Sequence, residues 1–140
     1  MKGKLVMVIF ILAFFSGCEE QAEMLQYGQV KAKQTEAKTN LTAIYTAQVG
    51  FRAMSRRYGE NFSEIGYAIT ENQRYSYFMC DDVLEGYLGP DSLPDNLSPP
   101  ACSSDKFLVY AIANLDNDDT LDIWSIDQDH NLRMISSDLK

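Results

Sequence analysis

The stretch Ala37-Lys38-Thr39-Asn40-Leu41-Thr42-Ala43-Ile44-Tyr45-Thr46-Ala47-Gln48-Val49-Gly50-Phe51-Arg52-Ala53-Met54-Ser55-Arg56-Arg57-Tyr58-Gly59 decides the fold class. Its apolar residues Ala37, Leu41, Ile44, Ala47, Phe51, Met54 and Tyr58 recur at steps of three and four. That spacing puts them on one face of an α-helix, so the face must be covered by another layer. Working backward, residues 19–36 are rich in Glu, Gln, Ala and Lys, which are good helix formers, and contain no Pro. One helix is therefore predicted over residues 19–58. Its second half is buried and centred on Phe51; its first half, Gln34 included, is expected to be solvated. Arg52, Arg56 and Arg57 suit the negative end of the helix dipole, and Gly59 supplies the stop.

Working forward, the chain turns to β signals. Arg74–Cys80 is rich in aromatics, and Lys106–Ala113 is a nearly continuous apolar run. Thr120–Ile126 and Leu132–Ile135 give two further short strands. Residues 81–105 hold all four prolines and read as an irregular loop. A long helix followed by strands predicts an α+β domain: one helix laid on an antiparallel sheet of about four strands.

Charge narrows the function. The 140-residue chain carries 12 Lys and Arg against 20 Asp and Glu, a formal −8. Residues 81–140 hold thirteen of the acids and three of the bases. Such a surface repels nucleic acid and attracts cations. An enzyme is not expected. No glycine-flanked nucleophile and no phosphate loop appears, and His130, the single histidine, sits in the polar turn Asp129-His130-Asn131.

The N-terminus reads as an address. Met1-Lys2-Gly3-Lys4 is basic, and Leu5–Phe15 is an apolar run of eleven residues. A membrane-spanning helix needs about 20 residues, so this run fits the core of a signal peptide. Ser16-Gly17-Cys18 follows and resembles the lipobox of bacterial lipoprotein precursors, in which Cys18 would become the acylated first residue. The chain then divides into a leader over residues 1–17, a helical tether over 18–36 and a globular domain over 37–140. The residue after the cysteine is Glu19 rather than Asp, which by analogy with Gram-negative lipoproteins directs the protein to the outer membrane. Lipid-anchored there, it would face the periplasm or the cell surface. Cys80 and Cys102 remain, most simply as a disulfide in an exported chain, with free buried thiols as the alternative.

Three segments taken in order resemble one family. Glu36–Gln48 is similar to the helix of type IV pilins, Phe62–Tyr67 to the segment that follows it, and Asn114–Asp127 to the C-terminal strand-loop-strand. The resemblance covers residues 27–139. It implies a pilin headgroup in which Cys80 and Cys102 bracket a variable surface loop. Pilin precursors keep a long hydrophobic segment that packs the fibre. Here the apolar run is half that length and precedes Cys18. The expectation is a non-enzymatic, membrane-anchored pilin-like lipoprotein, with proteins of a pilus or secretion machine as partners. The alternative is a stand-alone cation-binding lipoprotein of the same fold.

The sharpest local feature is Asp116, Asp118, Asp119 and Asp122 within seven residues. Hard oxygens at alternate loop positions suit Ca²⁺, and a calcium-binding C-terminal loop in related pseudopilins points the same way. The loop lacks the central Gly and closing Glu of an EF-hand, and a solvated acidic turn is the plainer reading.

Overall fold

The computed structural model describes the backbone of residues 4–139 and the side chains of residues 21–139. Helix α1 spans Lys4–Ser55. Five strands follow: β1 Ser76–Met79, β2 Asp82–Leu84, β3 Leu108–Ala113, β4 Asp122–Asp127 and β5 Arg133–Ser136. They form one antiparallel sheet in the order β2-β1-β3-β4-β5, with α1 lying on β3 and β4. The α+β architecture is the expected one. The fifth strand is β2, three residues long and inside the segment expected to be irregular.

Period-two alternation sorts the strand side chains between two cores. Tyr75, Tyr77 and Met79 of the β1 region, Phe107, Val109 and Ala111 of the β3 region, and Trp124 and Ile126 of β4 face the helix. Phe78, Tyr110, Ile112 and Ile123 face the other way. Leu93 and Leu97 of the long loop pack on that second face with Val83, Leu108 and Leu121. The sheet is thus covered on both sides, which is why residues 107–113 are apolar without alternation.

The buried positions of α1 are Val30, Gln34, Ala37, Leu41, Ile44 and Gln48, at steps of 4, 3, 4, 3 and 4. This corrects three expectations. Gln34 is not solvated; it is 3% exposed. Phe51 is only half-buried at the core margin, and Met54 is 82% exposed, because the stripe drifts off the sheet after Gln48. Two glutamines are tolerated because each finds partners. The Gln48 amide accepts from Gly59 N–H at 2.8 Å and donates to the Gly59 carbonyl at 3.0 Å, pairing with a backbone unit as a strand would. Buried amides are tolerated only with such pairing.

The helix also stops earlier than expected. Arg56, at φ 59°, takes the left-handed position after the last turn, and its N–H bonds the Arg52 carbonyl at 2.8 Å. Gly59 has another reason: a Cβ there would lie 2.4 Å from the Ile65 side chain. Glu36 fastens the helix to the start of β1. It accepts from Arg74 N–H and from the Arg74 guanidinium, both at 2.7 Å. His130 is exposed and stacks on Tyr45 with ring centroids 4.2 Å apart.

The leader of residues 1–17 and the Cys18 side chain lie outside the residues whose side chains are described. Among the described residues, no helix is long and apolar enough to cross a membrane.

Candidate functional site: the acidic turn and the C-terminal tail

Strands β3 and β4 pair in register from Leu108↔Asp127 to Ala113↔Asp122, so the acidic turn leaves and returns at a fixed pair. Inside it, Asn114 organises the backbone. Its Oδ1 accepts from Asn117 N–H at 2.7 Å, and its amide donates to the Asp118 carbonyl at 2.6 Å. Asn117 takes a left-handed conformation, φ 66°, which Asn tolerates well. Asp118 N–H donates to Asp116 Oδ1 at 3.2 Å, and Thr120 N–H donates to Asp118 Oδ1 at 2.6 Å.

The four aspartates expected to act together do not converge. Asp119 is exposed. Asp122 is fully buried on the helix side of β4 and accepts four donors. These are the Gln34 amide at 2.6 Å, the Tyr75 hydroxyl at 2.7 Å, the Trp124 indole N–H at 2.6 Å and Asp138 N–H at 3.2 Å. Burial pushes the Tyr75 hydroxyl far above the usual tyrosine range, and its bond to Asp122 adds to this, so it stays a donor. Asp122 therefore ties α1, β1, β4 and the tail together, and its oxygens point away from the turn's surface.

The carboxylates that do converge are Asp116, Asp118 and Asp138, with one oxygen from each lying within 4.8 Å of the others. Asp138 comes from the tail after β5 and is 1% exposed. Its Oδ2 accepts Leu115 N–H at 2.6 Å. Burial holds its carboxyl above the usual range and the charges of Asp116 and Asp118 push it the same way, against the backbone N–H groups of Leu115 and Asp116. The three border an open groove of about 610 Å³ that α1 closes with Glu23, Tyr27 and Val30. Lys33 donates to the Leu115 carbonyl at 2.8 Å, securing the turn to the helix. No local signal marks Asp138 in Ser136-Ser137-Asp138-Leu139; only the return of the chain after β5 brings it here.

Cys80 and Cys102 are joined as a disulfide across a sequence separation of 22. The segment between them contains β2 and the leucines that cover the second sheet face, so the bridge fixes a structural loop as well as a surface one. Such a link typically stabilises by about 3 kcal/mol in the chain-entropy model.

Comparison with known proteins takes in the first two of the three resembling segments, Glu36–Gln48 and Phe62–Tyr67, while Asn114–Asp127 lies outside the family match. The sequence model of the family described as type IV pilin PilA matches residues 28–85, which run from the buried half of α1 through β2. The type IV major pilin protein PilA of Myxococcus xanthus (strain DK1622) is 49% identical over 49 residues. That alignment covers 35% of this chain, and the chain spans 22% of that pilin's length. Over residues 28–85, which take in most of the packed part of α1 and the strands β1 and β2, the chain is similar to type IV pilins.

Proposed function

We propose that this protein is a non-enzymatic, lipid-anchored pilin-like component of the cell envelope. In this reading it serves as an accessory or docking part of a type IV pilus or a type II secretion-like system. One juxtaposition carries the reading. The segment similar to type IV pilins, residues 28–85, follows a short apolar run and the sequence Ser16-Gly17-Cys18. Acyl chains on Cys18 would contribute about 0.8 kcal/mol for each buried methylene, so two or more give a firm anchor. The early part of α1 would then act as a tether. Residues 21–29 are exposed, including Met24 at 73% and Leu25 at 68%, and the helix first packs on the sheet at Val30.

The anchor is tested by fractionation of cells carrying the wild type or Cys18→Ser. The wild type is expected in the membrane fraction with an acylated N-terminal peptide, and the mutant in the soluble fraction. Equal partitioning of the two would refute the anchor.

A second reading, cation binding at the Asp116–Asp118 turn, is favoured by the convergence of these two carboxylates with a third. It is compatible with the first and would also serve a stand-alone Ca²⁺-binding lipoprotein of this fold.

A further inference from the structure

We propose that the basic flank of α1, beside the edge strand β5, docks an acidic helix of a partner protein. This rests on the docking role proposed above and names the surface and the partner's chemistry.

The layer on the helix side of the sheet leaves a place open. α1 lies on β3 and β4. The segment after α1 covers the β2 end, where Phe62 and Tyr67 join the main core and Phe62 N–H donates to Asp82 at 2.8 Å. At the other end, Met134 of β5 stands opposite Trp124 and so shares its helix-side face, yet it is 53% exposed. Packed helices lie about 8–10 Å apart, the width of two strands, so a second helix fits beside α1 over β5.

Charge marks this place. Lys31, Lys38, Tyr45 and Arg52 stand seven residues apart and share one line of the helix, with Val49 between the last two. Lys38 Nζ lies 4.7 Å from the centre of the Trp124 ring, and Tyr45 stacks on His130, so the line runs along the β4 side. Residues 30–59 hold six bases and one acid, whereas residues 60–140 hold sixteen acids and four bases. Despite that excess of acid, the ion pairs among the described residues are Arg57–Glu64 and Arg74–Glu36. Lys31, Lys38 and Arg52 are in neither. Asp105 feels the charge of Arg52 and Lys106 but accepts its hydrogen bond from Ser103 Oγ at 2.8 Å. The flank therefore carries positive charge that the chain itself leaves unneutralised.

An acidic protein helix suits it. Lys38 to Arg52 lie about 30–51 Å along α1 from Cys18 at 1.5 Å per residue, several Debye lengths from the headgroups around an upright anchor. Their line is about 21 Å long and straight. It is cationic at both ends and apolar in the middle, where Val49 is 44% exposed. A helix with carboxylates at the same spacing meets those ends while its apolar residues meet Val49 and Met134.

The test has two arms. In the first, the detergent-solubilised full protein is titrated into a fluorescent helical peptide of about 20 residues, with Glu along one face at steps of three and four. A peptide of the same composition with Glu spread around the helix should bind about tenfold more weakly. Binding should also fall about tenfold between about 50 and about 300 mM NaCl. Lys31→Gln, Lys38→Gln and Arg52→Gln combined should weaken it about tenfold; Gln keeps helix propensity, so the circular dichroism spectrum should match the wild type. Lys31→Arg with Lys38→Arg should bind within about twofold of the wild type. So should Arg133→Gln, whose partner across the ladder is Ser125 rather than a helix-side residue. Equal binding of the two peptides, or of the triple variant and the wild type, would overturn the proposal. So would sedimentation showing that the protein alone dimerises through these three residues, since the occupant would then be a second copy. In the second arm, pilus or secretion-system components are recovered with the protein from cross-linked membranes. The triple variant should recover about tenfold less of them. Undiminished recovery would overturn docking at this flank and leave the proposed function standing, whereas no such component even with the wild type would overturn both.

Discussion

Asp122→Ala should lower stability by roughly 4 kcal/mol, a large share of what a domain of this size possesses. The carboxyl group is fully buried and receives hydrogen bonds from Gln34, Tyr75, Trp124 and Asp138. Truncation leaves those donors in a dry site, at about 1–3 kcal/mol for each that finds no substitute, together with a small cavity. Relaxation recovers part of the loss, so the terms do not simply add. Thermal unfolding of the disulfide-intact protein should show a drop of roughly 15 °C. Asp119→Ala, on an exposed carboxylate three residues earlier, should stay within about 0.5 kcal/mol of the wild type. Similar losses for the two variants would mean that Asp122 is a turn residue rather than the hub.

Gln34→Asp should cost about 3 kcal/mol, although position 34 reads from the sequence as part of a solvated tether. The Gln34 amide donates to Asp122 Oδ1 at 2.6 Å in a buried site. Aspartate removes that donor, shortens the side chain and sets a second carboxyl group beside Asp122. A double-mutant cycle with Asp122→Ala should give a coupling of about 1 kcal/mol or more, because the two residues share one network. A neutral Gln34→Asp would mean that α1 is not seated on the sheet at this point.

These expectations differ from those of the sequence for identifiable reasons. Ala37, Leu41 and Ile44 announce the buried face because they are apolar at helical spacing, and all three are fully buried. Gln34 and Gln48 continue the same spacing but break a hydropathy pattern, since their compensation comes from Asp122 and Gly59, which only the folded chain brings near. Asp122 was hidden by its neighbours. It adjoins three turn aspartates, yet it shares strand parity with Trp124 and Ile126, which face the helix. Parity was the available signal, and the density of acids masked it. Arg56 as the helix stop opposes propensity, because Gly59 is the better left-handed residue and stands three positions later. Leu93 and Leu97 look like scattered residues of a loop, and their task becomes visible only when the second sheet face is seen to need cover. Asp138 had no signal in the sequence at all.

The proposed function has a pilin-like headgroup, held by a lipid anchor, bind the proteins of a pilus or secretion machine. The most direct measurement is affinity purification of the tagged protein from chemically cross-linked, detergent-solubilised membranes, with Cys18→Ser run in parallel. Pilus or secretion-system components should co-purify with the wild type and fall away when Cys18→Ser releases the protein from the membrane. Recovery of the wild-type protein with no such component, from membranes in which the machine is present, would contradict it.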